Sequence, residues 1–157
     1  MIQIAVVGGG DAKGGAYALA EEVGEEVARA GAVLLCGGLG GVMEAGAKGA
    51  KRGGGTTIGI LPGEGKGEAN PYIDFKIVTA MSYARNAVIA RSADAVIAVG
   101  GGYGTLSEIA LALKEGKPVV VVRTGGGLEG PLSGIKDGNL HFASTAKEAV
   151  QLACRLS

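Results

Sequence analysis

The sequence has no tryptophan, a single histidine, two cysteines and only six phenylalanine and tyrosine residues. So few aromatic side chains argue against a stacking platform for single-stranded nucleic acid. Cys36 and Cys154 share no CxxC spacing and have no histidine or cysteine cluster beside them, so we expect buried free thiols, without a disulfide and without a metal site. His141, the one histidine, is expected to be structural because no catalytic triad can be built around it.

A surplus of charge and long apolar runs are also missing. Fifteen basic and fifteen acidic side chains give a formal net charge of zero, which argues against bulk attraction to nucleic acid or to an anionic membrane. Glycines interrupt the apolar runs well before the roughly 20 residues that span a bilayer. The first ten residues, MIQIAVVGGG, lack the basic region and cleavage site of a secretory signal. We therefore expect a cytoplasmic protein without nucleic-acid or membrane partners.

Glycine, by contrast, is abundant: the 31 glycines gather at the ends of apolar runs, where tight turns are expected. Apolar runs alternate with segments of helical periodicity, among them predicted helices over residues 82–91 and 105–115. The runs do not alternate between apolar and polar residues, which is typical of parallel strands buried on both faces. Residues 1–157 are therefore predicted to form a single α/β domain, a doubly wound and mostly parallel Rossmann-like sheet with helices on both faces.

Three glycine clusters, at residues 8–10, 37–41 and 100–104, each follow a predicted strand. In a doubly wound sheet the carboxyl ends of the strands meet at one edge, where ligands bind. Glycines before a helix let the backbone approach a phosphate, and the N–H groups of the first helical turn then bind it. The cluster from Gly100 to Gly104, followed by Thr105, has this arrangement, although close packing of a helix on a sheet also selects glycine.

Four further side chains near these clusters are candidates for a role in the site. Arg85 lies in the first turn of a predicted helix, where a cation opposes the helix dipole and an anionic ligand would offset it. Asn86 can bond a sugar or a base, and Tyr103 can pack on a base, or both can simply face solvent. Glu108 can act chemically, but Thr105 to Glu108 also match a capping box that would occupy its carboxylate. Thr145 to Glu148 repeat that pattern, and there we expect only a cap.

The segments MSYARN (81–86), SADA (92–95) and GGGYGTLSE (100–108) resemble those of the LONELY GUY family, long mislabelled as lysine decarboxylases. CGGLGGVM (36–43) and IGILP (58–62) match further landmarks of that family in the same order, so the resemblance covers nearly the whole chain. Within the group, the chain is most similar to a short bacterial branch related to molybdenum cofactor carrier proteins and to the DNA-processing protein fold.

The resemblance implies hydrolysis of the N-glycosidic bond of a nucleoside 5′-monophosphate, with Glu108 and Arg85 as the catalytic residues. It also implies a homodimer or a larger homo-oligomer and no required cofactor beyond a nucleotide or phosphate ligand. The implied phosphate- or nucleotide-binding residues are Gly8, Gly9, Gly37, Gly38, Met43, Arg85, Asn86, Gly101, Gly102, Tyr103, Gly104 and Thr105.

Four residues depart from the family motifs. Gly100 replaces a proline, Tyr83 and Ala84 replace a histidine and a glutamate, and Asn86 replaces a lysine. These changes leave two functions open. One is the phosphoribohydrolase, and the other is a non-catalytic binding protein or carrier for a nucleotide-like ligand such as a pterin cofactor phosphate. True lysine decarboxylation is disfavoured, since no lysine has a supporting site for pyridoxal phosphate.

Overall fold

The apolar runs form a seven-stranded sheet in a computed structural model that describes residues 1–157. The strands are β1 (Gln3–Gly8), β2 (Val33–Cys36), β3 (Thr57–Leu61), β4 (Phe75–Val78), β5 (Ala95–Val99), β6 (Val119–Val122) and β7 (Leu140–Ala143). The helices are α1 (Gly14–Arg29), α2 (Val42–Arg52), α3 (Arg85–Ser92), α4 (Tyr103–Lys114), α5 (Glu129–Leu132) and α6 (Ala146–Leu156), with single 3-10 turns at Lys66–Glu68 and Ser82–Ala84.

The strand order is β4-β3-β2-β1-β5-β6-β7, and every neighbouring pair is parallel. The order runs outward in both directions from the central β1–β5 pair, which makes the sheet doubly wound. This confirms the predicted single-domain Rossmann-like fold. The switch in direction between β1 and β5 places a crevice at the carboxyl edge of the sheet, where the glycine clusters lie.

The hydrophobic core occupies both faces of the sheet. In β1, Ile4 and Val6 pack into one buried cluster with α1, α2 and α6, whereas Ala5 and Val7 pack into the other with α3 and α4. All four side chains are almost completely buried. This explains why the strand shows no alternation of apolar and polar residues. None of the six helices combines the length and apolar character required to cross a bilayer.

Two predicted helix starts near the crevice were wrong. The helix predicted over residues 82–91 begins only at Arg85, because Ser82 has a φ of +51° and residues Ser82–Ala84 form a 3-10 turn. The helix predicted from residue 105 begins two residues earlier, at Tyr103. At the last helix the predicted cap is confirmed, since the side chain of Thr145 accepts a hydrogen bond of 3.2 Å from the backbone N–H of Glu148.

Glycines allow the backbones of helices α1 and α2 to pack close together where the two helices cross. A Cβ atom added at Gly24 would lie 1.9 Å from the carbonyl oxygen of Gly46, and one added at Gly49 would lie 1.8 Å from the carbonyl oxygen of Glu21. Such contacts leave no room for a side chain on either helix. The close crossing brings α2, which follows the second glycine cluster, firmly against the rest of that layer.

Replacing Gly24 by alanine should therefore force the two helices apart. We expect Gly24→Ala to lower the free energy of unfolding by about 3 kcal/mol or more, measured by thermal or urea denaturation. Gly15→Ala in the same helix is the matched control, because an added Cβ there meets no atom within 4 Å, and it should leave stability unchanged or slightly raised. Equal stability of Gly24→Ala and the wild type would contradict this account of the packing.

Candidate functional site

A cavity of about 480 Å³ opens at the carboxyl edge of the sheet. It lies beyond the ends of β1, β2, β3 and β5 and reaches the first turns of α2, α3 and α4. Its lining residues are Gly8, Gly9, Gly10, Asp11, Leu39, Met43, Pro62, Ser82, Tyr83, Arg85, Asn86, Gly102, Gly104, Thr105 and Glu108. The structure thus brings together residues from all three glycine clusters and both predicted catalytic side chains.

Two glycines behind the cavity wall are needed because other groups approach them closely. A Cβ atom at Gly37 would lie 2.6 Å from Nη2 of Arg85, so a side chain there would displace the guanidinium. Gly101 has a φ of +104°, and a Cβ atom at this position would lie 2.2 Å from Oγ1 of Thr105. These glycines shape the site without lining it.

Arg85 is the first residue of α3, and only 7% of its surface is exposed. Its Nε donates a hydrogen bond of 2.9 Å to the carbonyl oxygen of Ile60, and its Nη2 donates one of 3.4 Å to that of Gly37. Its Nη1 donates to Oδ1 of Asn86. The guanidinium is therefore held in a fixed orientation by three neutral oxygen atoms from different elements.

Arg85 has no ionic partner in the protein. Seven salt bridges join a basic nitrogen to a carboxylate oxygen within 4.0 Å, and none of them includes Arg85. Burial lowers the pKa of Arg85 from its ordinary value, and the more distant charge of Glu108 acts in the opposite direction. The arginine also stands at the amino terminus of a helix, where a cation is unfavourable. Arg85 therefore presents a buried positive charge to the cavity, and an anion bound beside it would neutralise this charge.

Additional donors for an anion come from the start of α4. Gly102 precedes this helix and provides no side-chain cap. The N–H groups of the first helical turn, at residues 103–105, have no acceptor within their own helix. Gly104 and Thr105 line the same cavity as the Arg85 guanidinium. The cavity thus combines a buried cation with free backbone donors, which is the arrangement that phosphate groups bind.

Asn86 lines the cavity, but its amide is used within the protein. Its Oδ1 accepts from Arg85, and its Nδ2 donates to Oγ of Ser107 over 3.0 Å and to the carbonyl oxygen of Gly104 over 3.4 Å. The side chain therefore joins α3 to the first turn of α4. The structure gives Asn86 a positioning role for Arg85, and its predicted contact with a sugar or base stays a prediction.

Glu108 does not cap α4, so of the two interpretations of residues 105–108 the capping box was wrong. The helix begins at Tyr103, which places Glu108 in the second turn, 7% exposed and facing the cavity. No protein group donates a hydrogen bond to its carboxylate. Every side-chain oxygen that is fully buried in this protein has a hydrogen-bond partner, so the oxygens of Glu108 are not fully buried. The carboxylate oxygens must therefore open onto the cavity.

Burial raises the pKa of Glu108 to about 7, and the positive charge of Arg85 offsets part of this effect. Near neutral pH the carboxyl group therefore holds a proton for a large part of the time. It can donate a hydrogen bond or a proton to a ligand in this state and accept one after ionisation. A carboxyl group with such a pKa in a cavity is a feature of functional sites.

Four of the predicted site residues do not line the cavity. Gly37 and Gly101 support it from behind, as described above. Gly38 is turned towards β3, since a Cβ atom there would lie 2.4 Å from Cδ2 of Leu61. Tyr103 is 92% exposed on the outer surface. The predicted packing of Tyr103 on a base therefore has no support in the lining of the cavity.

Six lining residues were not predicted: Gly10, Asp11, Leu39, Pro62, Ser82 and Tyr83. Gly10 and Leu39 belong to glycine clusters that the sequence identified, and Pro62 ends a matched landmark, so their positions in the sequence were a usable signal. The sequence contained no comparable signal for Asp11. Ser82 and Tyr83 lie in the matched landmark at residues 81–86, so the sequence contained a signal for them as well, but the predicted helix did not show the 3-10 turn that brings them to the cavity.

Neither the cysteines nor the histidine line the cavity. Cys36 is buried, and burial raises the pKa of its thiol to about 12, so it is not a thiolate at neutral pH. Cys154 is a partly buried free thiol. His141 belongs to β7, near the opposite end of the sheet from β2 and β3. No three histidine, cysteine, aspartate or glutamate side chains are grouped so that they could hold a metal ion.

The raised pKa of Glu108 predicts a specific dependence of stability on pH. The folded protein retains the proton up to a pKa of about 7, whereas the unfolded chain loses it near 4.5. The stabilisation is therefore complete below pH 4.5 and is lost as the pH rises through 7, by up to about 3 kcal/mol. Glu108→Gln cannot ionise, so calorimetry should find it more stable than the wild type at pH 8 but not at pH 4.5.

Glu115→Gln, at the exposed carboxyl end of the same helix, is the control for this experiment. It should follow the wild-type dependence of the unfolding temperature on pH between 4.5 and 8. A difference between Glu108→Gln and the wild type that stays constant across this range would show that the carboxyl group ionises normally.

Three proteins are similar to this chain over most of its length. An uncharacterized protein of Archaeoglobus fulgidus is 53% identical over 123 residues, which are 78% of this chain and 81% of that protein. The molybdenum cofactor binding protein of Rippkaea orientalis is 36% identical, with a TM-score of 0.88 over 98% of this chain and 94% of its own. The molybdenum cofactor carrier protein of Chlamydomonas reinhardtii is 38% identical, with a TM-score of 0.86 over 99% and 97%.

The predicted relation to the DNA-processing protein extends to the fold alone. DNA processing protein A of Helicobacter pylori is 20% identical, with a TM-score of 0.77 over 98% of this chain and 80% of its own.

A family model matches residues 1–153, almost the entire sequence. The chain belongs to the SLOG cluster4 family.

Proposed function

We propose that the cavity binds a small ligand with a phosphate group, of nucleotide or pterin type, and that the protein acts as a binding or carrier protein for it. The observation that carries this proposal is the buried guanidinium of Arg85, which opens onto the cavity and has no carboxylate partner within 4.0 Å. A buried charge without a partner is costly, and a phosphate of the ligand would supply the missing negative charge.

The backbone around Arg85 fits the same ligand. The free N–H groups of the first turn of α4 can bind an anion at the helix terminus, and the glycines of the β1 and β5 turns let a phosphate approach the backbone. Asn86 fixes the guanidinium relative to this turn. The site is thus organised before the ligand arrives, which lowers the entropic cost of binding.

The similar structures favour a carrier over an enzyme. Two of them are proteins described as binding or carrying the molybdenum cofactor, and each is more than 35% identical to this chain over nearly its whole length. A pterin phosphate such as the molybdenum cofactor is therefore the first candidate ligand. LONELY GUY membership in the narrower sense, a homo-oligomer and a cytoplasmic location stay predictions.

The proposal predicts a defined effect of removing the Arg85 charge. Arg85→Met should weaken the binding of AMP and of inorganic phosphate at least about tenfold, measured by isothermal titration calorimetry. The unfolding temperature of the free variant should be unchanged or higher, because the variant no longer buries an unpaired charge. Loss of binding together with a gain in stability is the pattern of a site built for a ligand.

Arg91→Met is the matched control, since Arg91 lies in the same helix, is exposed and pairs with Glu115 outside the cavity. It should bind AMP and phosphate like the wild type. If Arg85→Met binds both probes as tightly as the wild type does, the cavity does not recognise phosphate through Arg85 and the proposal is wrong.

Hydrolysis of the N-glycosidic bond of a nucleoside 5′-monophosphate is the second candidate, and the carboxyl group of Glu108 in the cavity favours it. In this reaction a water oxygen bonds to C1′ of the ribose while the C1′–N bond breaks and leaves its electron pair on the base. Glu108 would give its proton to the base nitrogen, and the water would restore that proton.

Incubation of the protein with AMP separates the two functions. A hydrolase should release adenine and ribose 5-phosphate, detected by chromatography, and Glu108→Gln should reduce the rate at least about 100-fold. A wild-type protein that binds AMP but releases no adenine at high protein concentration excludes the hydrolase and leaves the carrier.

A further inference from the structure

The cavity lining combines two kinds of chemistry. The glycine turns after β1 and β5, the start of α4 and the guanidinium of Arg85 offer hydrogen-bond donors and positive charge. Leu39, Met43, Pro62 and Tyr83 add apolar surface and one aromatic ring. A ligand that contacts both kinds of group has a charged part and a flat, weakly polar part.

Tyr83 is held beside the cavity by an unusual backbone. It lies in the 3-10 turn Ser82–Ala84 that connects β4 with α3. The two non-glycine residues with positive φ, Ala80 at +53° and Ser82 at +51°, both lie in this connection. Such angles are unfavourable for residues with a side chain and persist only where the surroundings enforce them.

Backbone hydrogen bonds fix this connection against the end of β3. The N–H of Ser82 donates to the carbonyl oxygen of Pro62 over 2.9 Å, and the N–H of Ala80 donates to that of Gly63 over 2.9 Å. The turn therefore cannot swing away from the cavity without losing both bonds. Tyr83 nevertheless remains 84% exposed, so its ring has little contact with the rest of the protein. A large, exposed aromatic ring on a backbone that is fixed beside a cavity is available to a ligand.

We propose that Tyr83 stacks on the flat heterocyclic ring of the ligand and so makes the site prefer a phosphate that carries such a ring over a plain sugar phosphate. This inference rests on the proposed function, because Arg85 and the α4 turn must hold the phosphate. The ring of the ligand then contacts Tyr83, and Leu39 and Met43 add apolar surface in the same cavity. The phosphate supplies affinity, and the tyrosine supplies selection among phosphates.

Tyr103 provides a natural comparison within the same molecule. It is 92% exposed and is the first residue of α4, next to two residues that line the cavity, but it does not line the cavity itself. If any exposed tyrosine near the site could act on the ligand, Tyr103 would do so as readily as Tyr83. The geometry assigns the contact to Tyr83 alone.

The test compares phosphates with and without a flat heterocyclic group such as adenine or a pterin. Binding of AMP, a pterin monophosphate and ribose 5-phosphate is measured by calorimetry for the wild type, Tyr83→Ala, Tyr83→Phe and Tyr103→Ala. Tyr83→Ala should weaken the binding of AMP, of the pterin monophosphate or of both about tenfold, and it should change the affinity for ribose 5-phosphate less than about twofold. Tyr83→Phe keeps the ring and should bind as the wild type does. Tyr103→Ala should do the same.

The possible results distinguish the two proposals. If all three ligands bind and Tyr83→Ala leaves the affinities of AMP and the pterin monophosphate relative to ribose 5-phosphate unchanged, the role of Tyr83 is wrong and the phosphate site stands. If Tyr103→Ala has the same effect as Tyr83→Ala, the assignment of the contact to Tyr83 is also wrong. If none of the three binds to the wild type, the proposed function fails together with this inference.

Discussion

The buried guanidinium of Arg85 is the feature on which the site depends. The fold brings it under the carboxyl edge of the sheet, surrounds it with carbonyl and amide oxygens and provides no carboxylate to neutralise it. Such an arrangement is unfavourable in the free protein, because desolvation of the cation is only partly compensated by neutral acceptors. The glycine at position 37, the amide of Asn86 and the start of α3 all serve to maintain it. A bound anion is the simplest reason for a protein to contain it.

The fold was predictable because it follows from a repeated pattern. Apolar runs without alternation, each followed by glycine and a helical segment, leave few solutions besides a doubly wound parallel sheet, and the topology confirms this one. The positions of Arg85 and the glycine clusters at one edge follow from the same topology. Close crossing of α1 and α2 was not predictable, since a glycine in a helix does not by itself indicate what approaches it.

The details of the site were less accessible because they depend on where two helices begin. A shift of two residues at α4 turns Glu108 from a helix cap into a cavity carboxyl group whose pKa is raised to about 7. The 3-10 turn before α3 exposes Tyr83 at the cavity, whereas the sequence pointed to Tyr103. Both differences arise from backbone angles at single residues, Ser82 and Gly102, that periodicity does not encode. Affinity, selection and chemistry are therefore assigned to different elements: Arg85 in α3, Tyr83 in the 3-10 turn before it and Glu108 in α4.

A crystal structure of the protein soaked with AMP tests the central claim most directly. The account predicts the phosphate within hydrogen-bond distance of the Arg85 guanidinium and of the backbone N–H groups at the start of α4. A phosphate bound elsewhere, for example beside Arg123 and the glycines that follow β6, with the main cavity filled only by water, would contradict it.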